Sequence, residues 1–463
     1  IDDCGIDILL TRTPAGTAAA DFRARYVESR VVRYRRIKRY SKRLRQIVER
    51  NVPVYATVSK PLCRQRRYAM RALHGGRREC FYRGELPNVY EYDAKSAYPS
   101  SCVSIGLLPL GCDIRRLPGK PSDLEVWLTA VGGWGKIHFR FPPGTRYPCL
   151  PVDTPKGIIY PLSGTSWCTN YEARVASEMG AEIRIEDGYY YNTGVPWMAR
   201  YQERLLALRR STTDPILSAI YKRLANSIVG KLSQHRGGYD IGDLLRASRE
   251  SGIPVEIIQQ VANLPRQLGV RKSYQMGSLF MPEWYVLIVG WYRANISSLI
   301  PKVEAVQVAT DAVFTERYMG DKFVHNGITY ELVSSGPYVG YRSGLYRVAD
   351  NVRHHGCSSD AGKMVLDKFL AGVPWVEYKA NHITTLKESV RHGGRMGEMV
   401  IIPRRVCLYF DGKRKLESDT GWSTPLNTAA EFMELKIRIE KEELEDVSVP
   451  CVLSGEKGRS QND

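Results

Sequence analysis

The sequence is poor in the residues that build disulfide frameworks, zinc sites and membrane spans. Its ten cysteines form no C-x-x-C pair, and its eight histidines include one adjacent pair, His354-His355. A structural zinc site is therefore not expected, and free thiols are typical of a reducing compartment. The longest apolar run, Trp284 to Trp291, is too short to span a membrane, and no signal peptide is visible. We expect a cytoplasmic protein without a membrane partner.

Acidic residues are also scarce relative to basic ones. The 463 residues include 67 Lys and Arg but 49 Asp and Glu, which gives a net charge of +18. A surplus of this size attracts polyanions over long distances, so nucleic acid is the default partner. On charge alone, a protein that binds the ribosome or a membrane surface is the alternative.

Much of the positive charge lies near the start of the chain, in DFRARYVESRVVRYRRIKRYSKRLRQIVER at 21–50. This pattern predicts a basic helix. Because Arg and Lys recur on several faces, such a helix could lie along a phosphate backbone. A solvated surface helix is the competing interpretation.

The rest of the chain mixes strand-like and helix-like patterns and is long enough for two or three structural units. Frequent Gly and Pro turns predict a β-rich stretch up to about residue 195. Two helices split by STTDP are predicted at 196–233, and Pro215 stands where a helix start tolerates proline. Residues 234–279 are polar and hard to classify, whereas 280–300 predict a strong helix. The final residues, LSGEKGRSQND, have a composition typical of disorder.

The first segment that could carry chemistry is Tyr92-Asp93-Ala94-Lys95-Ser96-Ala97-Tyr98-Pro99-Ser100. An apolar strand ends in Asp93, and a tight polar turn follows. A carboxylate at a strand end can hold a divalent cation while nearby backbone N–H groups face a phosphate. Taken alone, an aspartate before a turn is more often a simple cap.

The second segment is the helical stretch YKRLANSIVGK at 221–231. Lys222, Asn226 and Gly230 lie four residues apart and therefore share one helix face. This face offers a cation, an amide and a gap for close approach, which suits a triphosphate and a base pair. Arg210 on the preceding helix can face Lys222 if the two helices pack as a hairpin, and the two cations would then grip a triphosphate. An ordinary amphipathic surface helix is the alternative.

The third segment, VQVATDAVF at 306–314, predicts two apolar strands joined by a turn with Asp311 at the tip. A hairpin tip needs a turn residue, so this aspartate taken alone is also ordinary.

Together and in this order, the three segments resemble the polymerase signature of family B DNA polymerases. The first family motif is Dxx(S)LYPS, and Ala97 replaces its Leu while the matching residues are Asp93, Ser96, Tyr98, Pro99 and Ser100. The second is KxxxNSxYG, in which Val229 replaces the aromatic residue and the matching residues are Lys222, Asn226, Ser227 and Gly230.

The third family motif is YxDTDS, matched by Thr310 and Asp311, while Gln307, Ala309 and Ala312 depart from it. The family's essential metal ligand in this motif is the second aspartate, which corresponds to Asp311. The resemblance therefore still implies activity, although the less critical first aspartate is lost.

The resemblance covers most of residues 60–420. Gly75, Gly76 and Arg77, followed by Glu79, are similar to the YxGG template-strand loop of protein-primed and related phage and plasmid polymerases, with Leu73 in place of Tyr. The helix with Arg293 resembles the palm helix before the third motif. Tyr346 resembles the tyrosine of the KxY primer-strand motif, with Gly344 in place of Lys, and Lys413-Arg414 resembles a thumb-side basic motif.

The resemblance implies an α+β fold of the right-hand polymerase class, with an antiparallel palm sheet, helical fingers and a thumb. The domains it implies are a basic N-terminal helical segment (1–60), a first palm part with the template-strand loop and a β-rich insertion (61–195), a fingers hairpin (196–233), an insertion (234–279), a second palm part (280–350), a thumb (351–450) and a disordered tail (451–463).

The resemblance also implies template-directed DNA synthesis, with two Mg²⁺ ions held by Asp93 and Asp311 and Mn²⁺ as the alternative ion. Tyr98 would exclude a 2′-hydroxyl. The residues implied to bind the nucleotide are Arg210, Lys222, Asn226, Tyr98, Ser96 and Gly230. Those implied to contact DNA are Gly75, Gly76, Arg77, Ser227, Thr310, Tyr346, Lys413 and Arg414. The implied partners are primer-template DNA and deoxynucleotides, bound by a monomer, and replication of a phage, plasmid or other mobile element is the expected setting.

Several questions stay open at this point. A catalytically impaired, polymerase-like DNA-binding protein would explain the lost first aspartate, whereas a reverse transcriptase would carry a second aspartate where Ala312 follows Asp311. A plain basic nucleic-acid-binding module leaves the ordered set of motifs unexplained. No exonuclease DxE motif precedes Asp93, and the chain starts at Ile1, so we expect either an upstream exonuclease or none. Priming by a terminal protein, by a nucleic-acid primer or without a primer is equally open.

Overall fold

The computed structural model describes most of the chain in separate segments. These are residues 16–19, 22, 31–41, 46–55, 60–106, 114–155, 157–239, 241–260, 264–270, 272–276, 279–354, 359–373, 375–383, 399–407, 413–416 and 421–440.

These residues form both strands and helices. The strands are β1 (Val31–Ser41), β2 (Gln46–Tyr55), β3 (Arg78–Cys80), β4 (Gly84–Ala94), β5 (Arg115–Leu117), β6 (Gly132–Arg140), β7 (Val152–Thr154), β8 (Gly157–Ile159), β9 (Ser163–Thr169), β10 (Glu182–Tyr191), β11 (His235–Tyr239), β12 (Lys272–Met276), β13 (Gln307–Ala309), β14 (Ala312–Thr315), β15 (Lys322–His325), β16 (Ile328–Arg342), β17 (Leu345–Val348), β18 (Asn351–His354), β19 (Trp375–Ile383), β20 (Met399–Cys407), β21 (Arg414–Leu416) and β22 (Ser423–Pro425). The helices are α1 (Lys60–Arg71), α2 (Ala97–Ser104), α3 (Asp123–Thr129), α4 (Asn170–Glu178), α5 (Trp197–Ser211), α6 (Pro215–Leu232), α7 (Ile241–Ser251), α8 (Val255–Gln260), α9 (Leu264–Gln267), α10 (Pro282–Val303), α11 (Ser359–Leu370) and α12 (Ala429–Glu440).

The chain divides into two compact units that do not follow the predicted domain segments one by one. The first unit takes its described residues from Ile1–Leu73, Ser101–Arg115 and Tyr191–Ile288, and the second from His74–Ser100, Arg116–Tyr190 and Val289–Asp463. The assignment of palm, fingers and thumb therefore stays a prediction.

An eight-stranded antiparallel sheet forms the centre of the second unit. Its order is β18-β17-β16-β4-β14-β13-β3, and β15 pairs with β16. The hairpin β13-β14 arises from short apolar runs on both sides of a turn, and all four residues of β14 are buried. The predicted strand-turn-strand at 306–314 is confirmed.

Helix α10 supplies the core beneath this sheet and confirms the strong helix predicted at 280–300. Tyr292, Ile296, Leu299, Ile300 and Val303 repeat at helical spacing and belong to one buried cluster with apolar residues of β4, β13 and β14. This apolar face explains why the helix forms where it does, since burial of one stripe stabilises an amphipathic helix.

A second, four-stranded sheet in the same unit confirms the β-rich stretch predicted before residue 195. Its order is β5-β10-β6-β9, and α3 and α4 pack against it. Helix α4 begins with a capping box, in which the Thr169 backbone N–H and hydroxyl both donate to the Glu172 carboxylate. The C-terminal helix α12 contributes Phe432 to the same core.

The first unit contains the two predicted helices of 196–233 as the hairpin α5-α6. Asp214 accepts a hydrogen bond from Ile216 N–H, and Pro215 occupies the first turn of α6. The segment 234–279 forms its own small core from α7, α8 and neighbouring residues, beside the hairpin β11-β12. Within the described segments, no helix has the length and apolarity needed to cross a membrane.

The predicted basic helix at 21–50 is wrong over residues 31–41 and 46–50. Residues Val31–Ser41 and Gln46–Tyr55 pair instead as an antiparallel ribbon, β1-β2. The physical reason is visible in VVRYRRIKRYS, where β-branched and aromatic residues separate the arginines and favour a strand over a helix. The charge pattern did not reveal this preference, because Arg and Lys recur so densely that they would lie on every face of either a helix or a strand.

Candidate active site

The two candidate metal ligands lie close together at one end of the eight-stranded sheet, Asp93 near the end of β4 and Asp311 in the turn between β13 and β14. In the register of β4 and β14, Asp93 is opposite Ala312, and the Ala94 N–H donates a 2.9 Å hydrogen bond to the Asp311 carbonyl. Asp93 is exposed and Asp311 is half-buried. The structure thus brings together the backbones of two aspartates that are far apart in the sequence.

The loop at Gly75 and Gly76 closes onto the tip of the hairpin that carries Asp311. The Thr310 N–H donates to the Arg77 carbonyl over 2.8 Å, and Thr310 has a φ of 66°, which few non-glycine residues adopt. A Cβ on Gly76 would lie 2.5 Å from Thr310 Cγ2, whereas one on Gly75 would meet nothing within 4 Å. Glycine is therefore required at position 76 by close packing.

The electrostatics of Asp311 are set by burial and one cation. Burial raises the pKa of the Asp311 carboxyl above its ordinary value of 3.8, while a backbone hydrogen bond and the Arg78 guanidinium act in the opposite direction. In the portion of the chain that the structure describes, no group of three His, Cys, Asp or Glu side chains is arranged to hold a metal ion. A Mg²⁺ ion is commonly bound through one or two carboxylates, with phosphate and water oxygens completing its shell. Two aspartates fit such an ion.

Arg78 contacts the hairpin of Asp311, although the motifs did not single it out. Its Nε donates to the Thr310 hydroxyl over 2.7 Å, and its side chain is exposed. In the sheet register it lies opposite Ala309, the position where the family motif has its first aspartate. The sequence does contain a signal for Arg78. Side chains alternate between the two faces of a strand, so Arg77 and Arg78, which follow the glycine loop, are expected to point to opposite faces.

Arg77 and Arg414, both predicted to contact DNA, are corrected by the structure. Arg77 is fully buried and donates to Glu79 over 2.7 Å, to Ser297 over 2.9 Å and to the Pro148 carbonyl over 2.9 Å. Arg414 reaches the same Glu79 over 3.3 Å and is equally buried. A buried carboxylate between two guanidiniums holds this cluster together, so neither arginine is exposed to a phosphate.

Tyr346 and Lys413, the other two residues predicted to contact DNA in this unit, differ from each other. Tyr346 is 4% exposed and its ring packs against Phe314 with centroids 4.9 Å apart. This core position leaves little surface for DNA and corrects the prediction. Lys413 is half-buried, and its ammonium donates to the Arg78 carbonyl over 2.9 Å. Lys413 thus lies beside the residue that holds Thr310.

Ser96 and Tyr98 follow Asp93 directly in the turn that begins α2. Ser96 has a φ of 55°, and its carbonyl accepts the Ser100 N–H over 2.8 Å. The neighbouring Lys95 pairs with Glu331 on β16 over 2.9 Å. Tyr98 is half-buried on the core cluster of α10. The turn therefore fixes Tyr98 close in sequence and space to Asp93.

In the first unit, helix α6 presents the predicted face. Lys222, Asn226 and Gly230 are all exposed, and a Cβ on Gly230 would meet nothing within 4 Å. Ser227 is half-buried, with its hydroxyl donating to the Leu224 carbonyl. Val229, which replaces the family's aromatic residue, is 3% exposed. The Lys222 ammonium, the Asn226 amide and the open space beside Gly230 thus lie along one accessible face of α6.

Arg210 lies on the partner helix α5, as predicted, but not directly opposite Lys222. Gln202 donates to the Ala225 carbonyl over 3.0 Å, and Arg209 donates to the Ser218 hydroxyl over 3.4 Å. At a rise of 1.5 Å per residue, this register displaces Arg210 from Lys222 by about 7 Å along the hairpin. The two exposed cations are spread along it rather than paired.

Arg293 and Glu172 form a second buried pair that reaches the glycine loop. Arg293 Nε donates to Glu172 over 2.8 Å, and its Nη1 donates to the carbonyls of His74 and Gly75 over 2.8 and 3.0 Å. A Cβ on Gly290 would lie 2.6 Å from Thr169 Cγ2, so glycine permits this close approach. The sequence did not predict the contact of Glu172, because its partner Arg293 is distant in the chain.

No protein-family model matches the chain. Over 255 residues, which are 54% of this chain, it is 29% identical to the primer-independent DNA polymerase PolB of Escherichia coli. The aligned region is 28% of that protein, so the chain spans less than a third of the length of this curated relative.

Solved structures of phi29 DNA polymerase have a similar fold. The ternary complex with primer-template DNA and incoming nucleotide matches with a TM-score of 0.56 and 14% identity, covering 86% of this chain and 68% of that one. The orthorhombic crystal form matches with a TM-score of 0.57 and 15% identity over the same shares. At such low identity the likeness concerns the fold, and it confirms the predicted α+β fold of the right-hand polymerase class. With the curated match, it also confirms that the three motifs resemble those of the family B DNA polymerases of protein-primed type.

Proposed function

We propose that this chain is a template-directed DNA polymerase that adds deoxynucleotides to a 3′-hydroxyl. The observation that carries the proposal is the placement of Asp93 on β4 beside Asp311 in the turn that leads into the paired strand β14, with a hydrogen bond from the Ala94 N–H to the Asp311 carbonyl. Catalysis of phosphoryl transfer depends on positioning and on charge stabilisation, and both require carboxylates held at a fixed spacing. The match to PolB and the phi29-like fold support the same reaction.

Asp93 and Asp311 would hold the divalent cations, with Mg²⁺ as the proposed ion and Mn²⁺ as the alternative. When bound, a pair of such ions stabilises both the attacking oxygen and the leaving pyrophosphate. Burial disfavours the bare charge of Asp311, and a cation beside it would favour the ionised form. The proposed role of the two aspartates is therefore to hold positive charge where β4 ends and β14 begins.

The remaining residues would position the reactants. Lys222 would neutralise charge on the triphosphate, with Arg210 engaging it farther along the hairpin, and Asn226 and Gly230 would line the base pair. Tyr98 would lie under the sugar and exclude a 2′-hydroxyl, with Ser96 in the turn beneath it. Arg78 would add a DNA-phosphate contact next to Thr310, in place of the buried Arg77.

The proposed partners are primer-template DNA and deoxynucleotides, which are the molecules bound in the phi29 ternary complex. The name of the relative PolB records synthesis without a primer. We therefore propose primer-independent initiation as a second property of this chain. It is tested by supplying circular single-stranded DNA and deoxynucleotides without primer, and the absence of product under conditions that allow primer extension would contradict it.

One observation favours a different function. Ala309 replaces the first aspartate of the third motif, and Arg78 lies opposite it. A polymerase-like protein that binds DNA without synthesis would tolerate such a change. This alternative predicts tight binding of primer-template DNA with no incorporation.

Extension of a labelled primer by the purified chain with Mg²⁺ and deoxynucleotides distinguishes the two functions. We expect Asp93→Asn and Asp311→Asn each to lower incorporation by about a thousandfold or more, since each removes a charge that acts in the transition state. Asp350→Asn is the matched control, because Asp350 is an exposed aspartate in a turn. Incorporation that survives Asp311→Asn would contradict the proposal, and binding without any incorporation by the unmodified chain would favour the alternative.

A further inference from the structure

A buried tyrosine connects Tyr98 to one of the paired aspartates. The ring centroids of Tyr98 and Tyr292 are 5.7 Å apart, with 62° between the ring planes. Tyr292 is fully buried on α10, and its hydroxyl donates to the Asp311 carbonyl over 3.4 Å. Tyr98, the proposed sugar contact, therefore rests on a residue that also contacts the hairpin of Asp311.

The surroundings of Tyr292 make it a rigid support. Its neighbours along the helix face, including Ile296 and Ile300, are completely buried in the same cluster. Edge-to-face aromatic pairs have a preferred geometry that resists sliding of one ring over the other. The ring beneath Tyr98 is thus fixed by packing on the helix side and by a hydrogen bond on the hairpin side.

We infer that Tyr292 is a positioning residue that sets sugar specificity by holding the Tyr98 ring where it collides with a 2′-hydroxyl. The inference rests on the proposed function, and in particular on the proposed role of Tyr98. Steric exclusion works only if the excluding group cannot retreat, and a displacement of about 1 Å is enough to change a reaction rate strongly. Removal of the Tyr292 ring would leave a cavity into which Tyr98 can move.

The test compares the selectivity for deoxynucleotides over ribonucleotides, measured as the ratio of their kcat/KM values in primer extension. We expect Tyr292→Leu to lower this ratio by about tenfold or more, the scale on which small steric changes alter selectivity. Tyr292→Phe keeps the supporting ring and should leave the ratio within about twofold of the unmodified chain. If Tyr292→Leu does not fold, Tyr292→Met retains most of the volume without the flat ring and serves in its place.

Tyr147 offers a closely matched control. It belongs to the same core cluster, packs its ring against Phe81 with centroids 4.8 Å apart, and donates its hydroxyl to the Ala305 carbonyl over 3.3 Å. Tyr147→Leu should therefore destabilise the same core without altering sugar selectivity. Melting temperatures of the Tyr147 and Tyr292 variants show whether the two losses of stability are comparable.

The outcomes separate the inference from the proposal beneath it. A lower ratio in Tyr292→Leu, with an unchanged ratio in Tyr292→Phe and Tyr147→Leu, supports the positioning role. An unchanged ratio in Tyr292→Leu overturns it, as does an equal loss of selectivity in Tyr147→Leu. Tyr98→Ala is the reference variant: if it does not admit ribonucleotides, the proposed role of Tyr98 is wrong and the inference falls with it. If the unmodified chain does not synthesise DNA at all, the proposed function itself has failed.

Discussion

The backbone N–H of Ala94 donates to the carbonyl of Asp311 over 2.9 Å. Through this bond, the residue that follows Asp93 is tied to the second aspartate itself. The spacing of the two aspartate backbones is therefore set by backbone pairing within one sheet, which varies little. A site that holds charges at a fixed separation is more precise when its residues lie on rigidly paired backbone.

The first prediction concerns the two glycines of the loop. Gly76→Ala should lower the melting temperature by several degrees, because its Cβ would collide with Thr310 at 2.5 Å. Gly75→Ala should leave the melting temperature nearly unchanged, since its Cβ would enter open space. Thermal unfolding followed by circular dichroism measures both. Equal melting temperatures for the two variants would contradict the close packing of the loop on the hairpin tip.

The second prediction concerns the exposed face of α6. Lys222→Met should raise the KM for deoxynucleotides by about tenfold or more, because a charge-assisted contact to phosphate is lost. Arg223→Met is the control, since Arg223 is equally exposed but lies one position round the helix. Steady-state primer extension provides the values. If both variants raise the KM equally, the effect is one of general charge and the assigned face is wrong.

The third prediction concerns Arg78, whose Nε already donates to Thr310. Arg78→Met should weaken binding of primer-template DNA irrespective of sequence. It should also reduce the slope of log affinity against log salt concentration by about one, as expected for one phosphate contact. Fluorescence anisotropy over a range of salt concentrations measures the slope. Arg317→Met, which removes an exposed arginine paired with Glu304, should keep the original slope, and an unchanged slope in Arg78→Met would refute the contact.

The fourth prediction concerns pH and stability at His325. Burial, and then the nearby Lys302 charge, hold the pKa of His325 below its ordinary value of 6.5, and its ring contacts the Ser298 hydroxyl at 2.8 Å. The unfolded chain takes up this proton near pH 6.5 whereas the folded chain resists it. The contribution of His325 to stability is therefore present above pH 6.5 and is lost as the pH falls through the lower, folded-state pKa.

His325→Asn should accordingly reduce the slope of the free energy of unfolding against pH below pH 6.5. The reduction should be less than about 1.4 kcal/mol per pH unit, which is the limit for one proton. Urea unfolding at a series of pH values from about 5 to 7.5 gives the comparison. A variant whose stability falls as steeply as that of the unmodified chain below pH 6.5 would show that His325 is not the group responsible.

Sequence patterns predicted the structure best where the spacing of neighbouring residues determines the helix or strand that forms. The helix face of Lys222, Asn226 and Gly230 follows from a period of 3.6 residues, and the strands around Asp311 follow from two short apolar runs joined by a turn. The adjacency of Asp93 and Asp311 came from resemblance to a family, because neither residue taken alone differs from a turn residue.

The predictions failed where contacts with residues distant in the sequence determine which side chain is buried. Arg77 and Arg78 are adjacent and chemically identical, yet one is buried against Glu79 and the other donates to Thr310 at the surface. Which arginine points inward depends on Ser297, Pro148 and Arg414, which no local pattern reveals. In the basic ribbon, the strand preference of valine and tyrosine outweighed a charge pattern that is compatible with either structure.

The buried cluster of Arg77, Glu79 and Arg414 also has a consequence for the order in which the protein can mature. Arg414 lies 335 positions after Glu79, and the Ser423 N–H donates to the Phe81 carbonyl nearby. A chain emerging from the ribosome thus exposes this edge of the eight-stranded sheet long before its last partners are made. The edge is completed only after Arg414 and Ser423 have been synthesised, so a chain that ends before them would keep Glu79 with one of its two counter-charges.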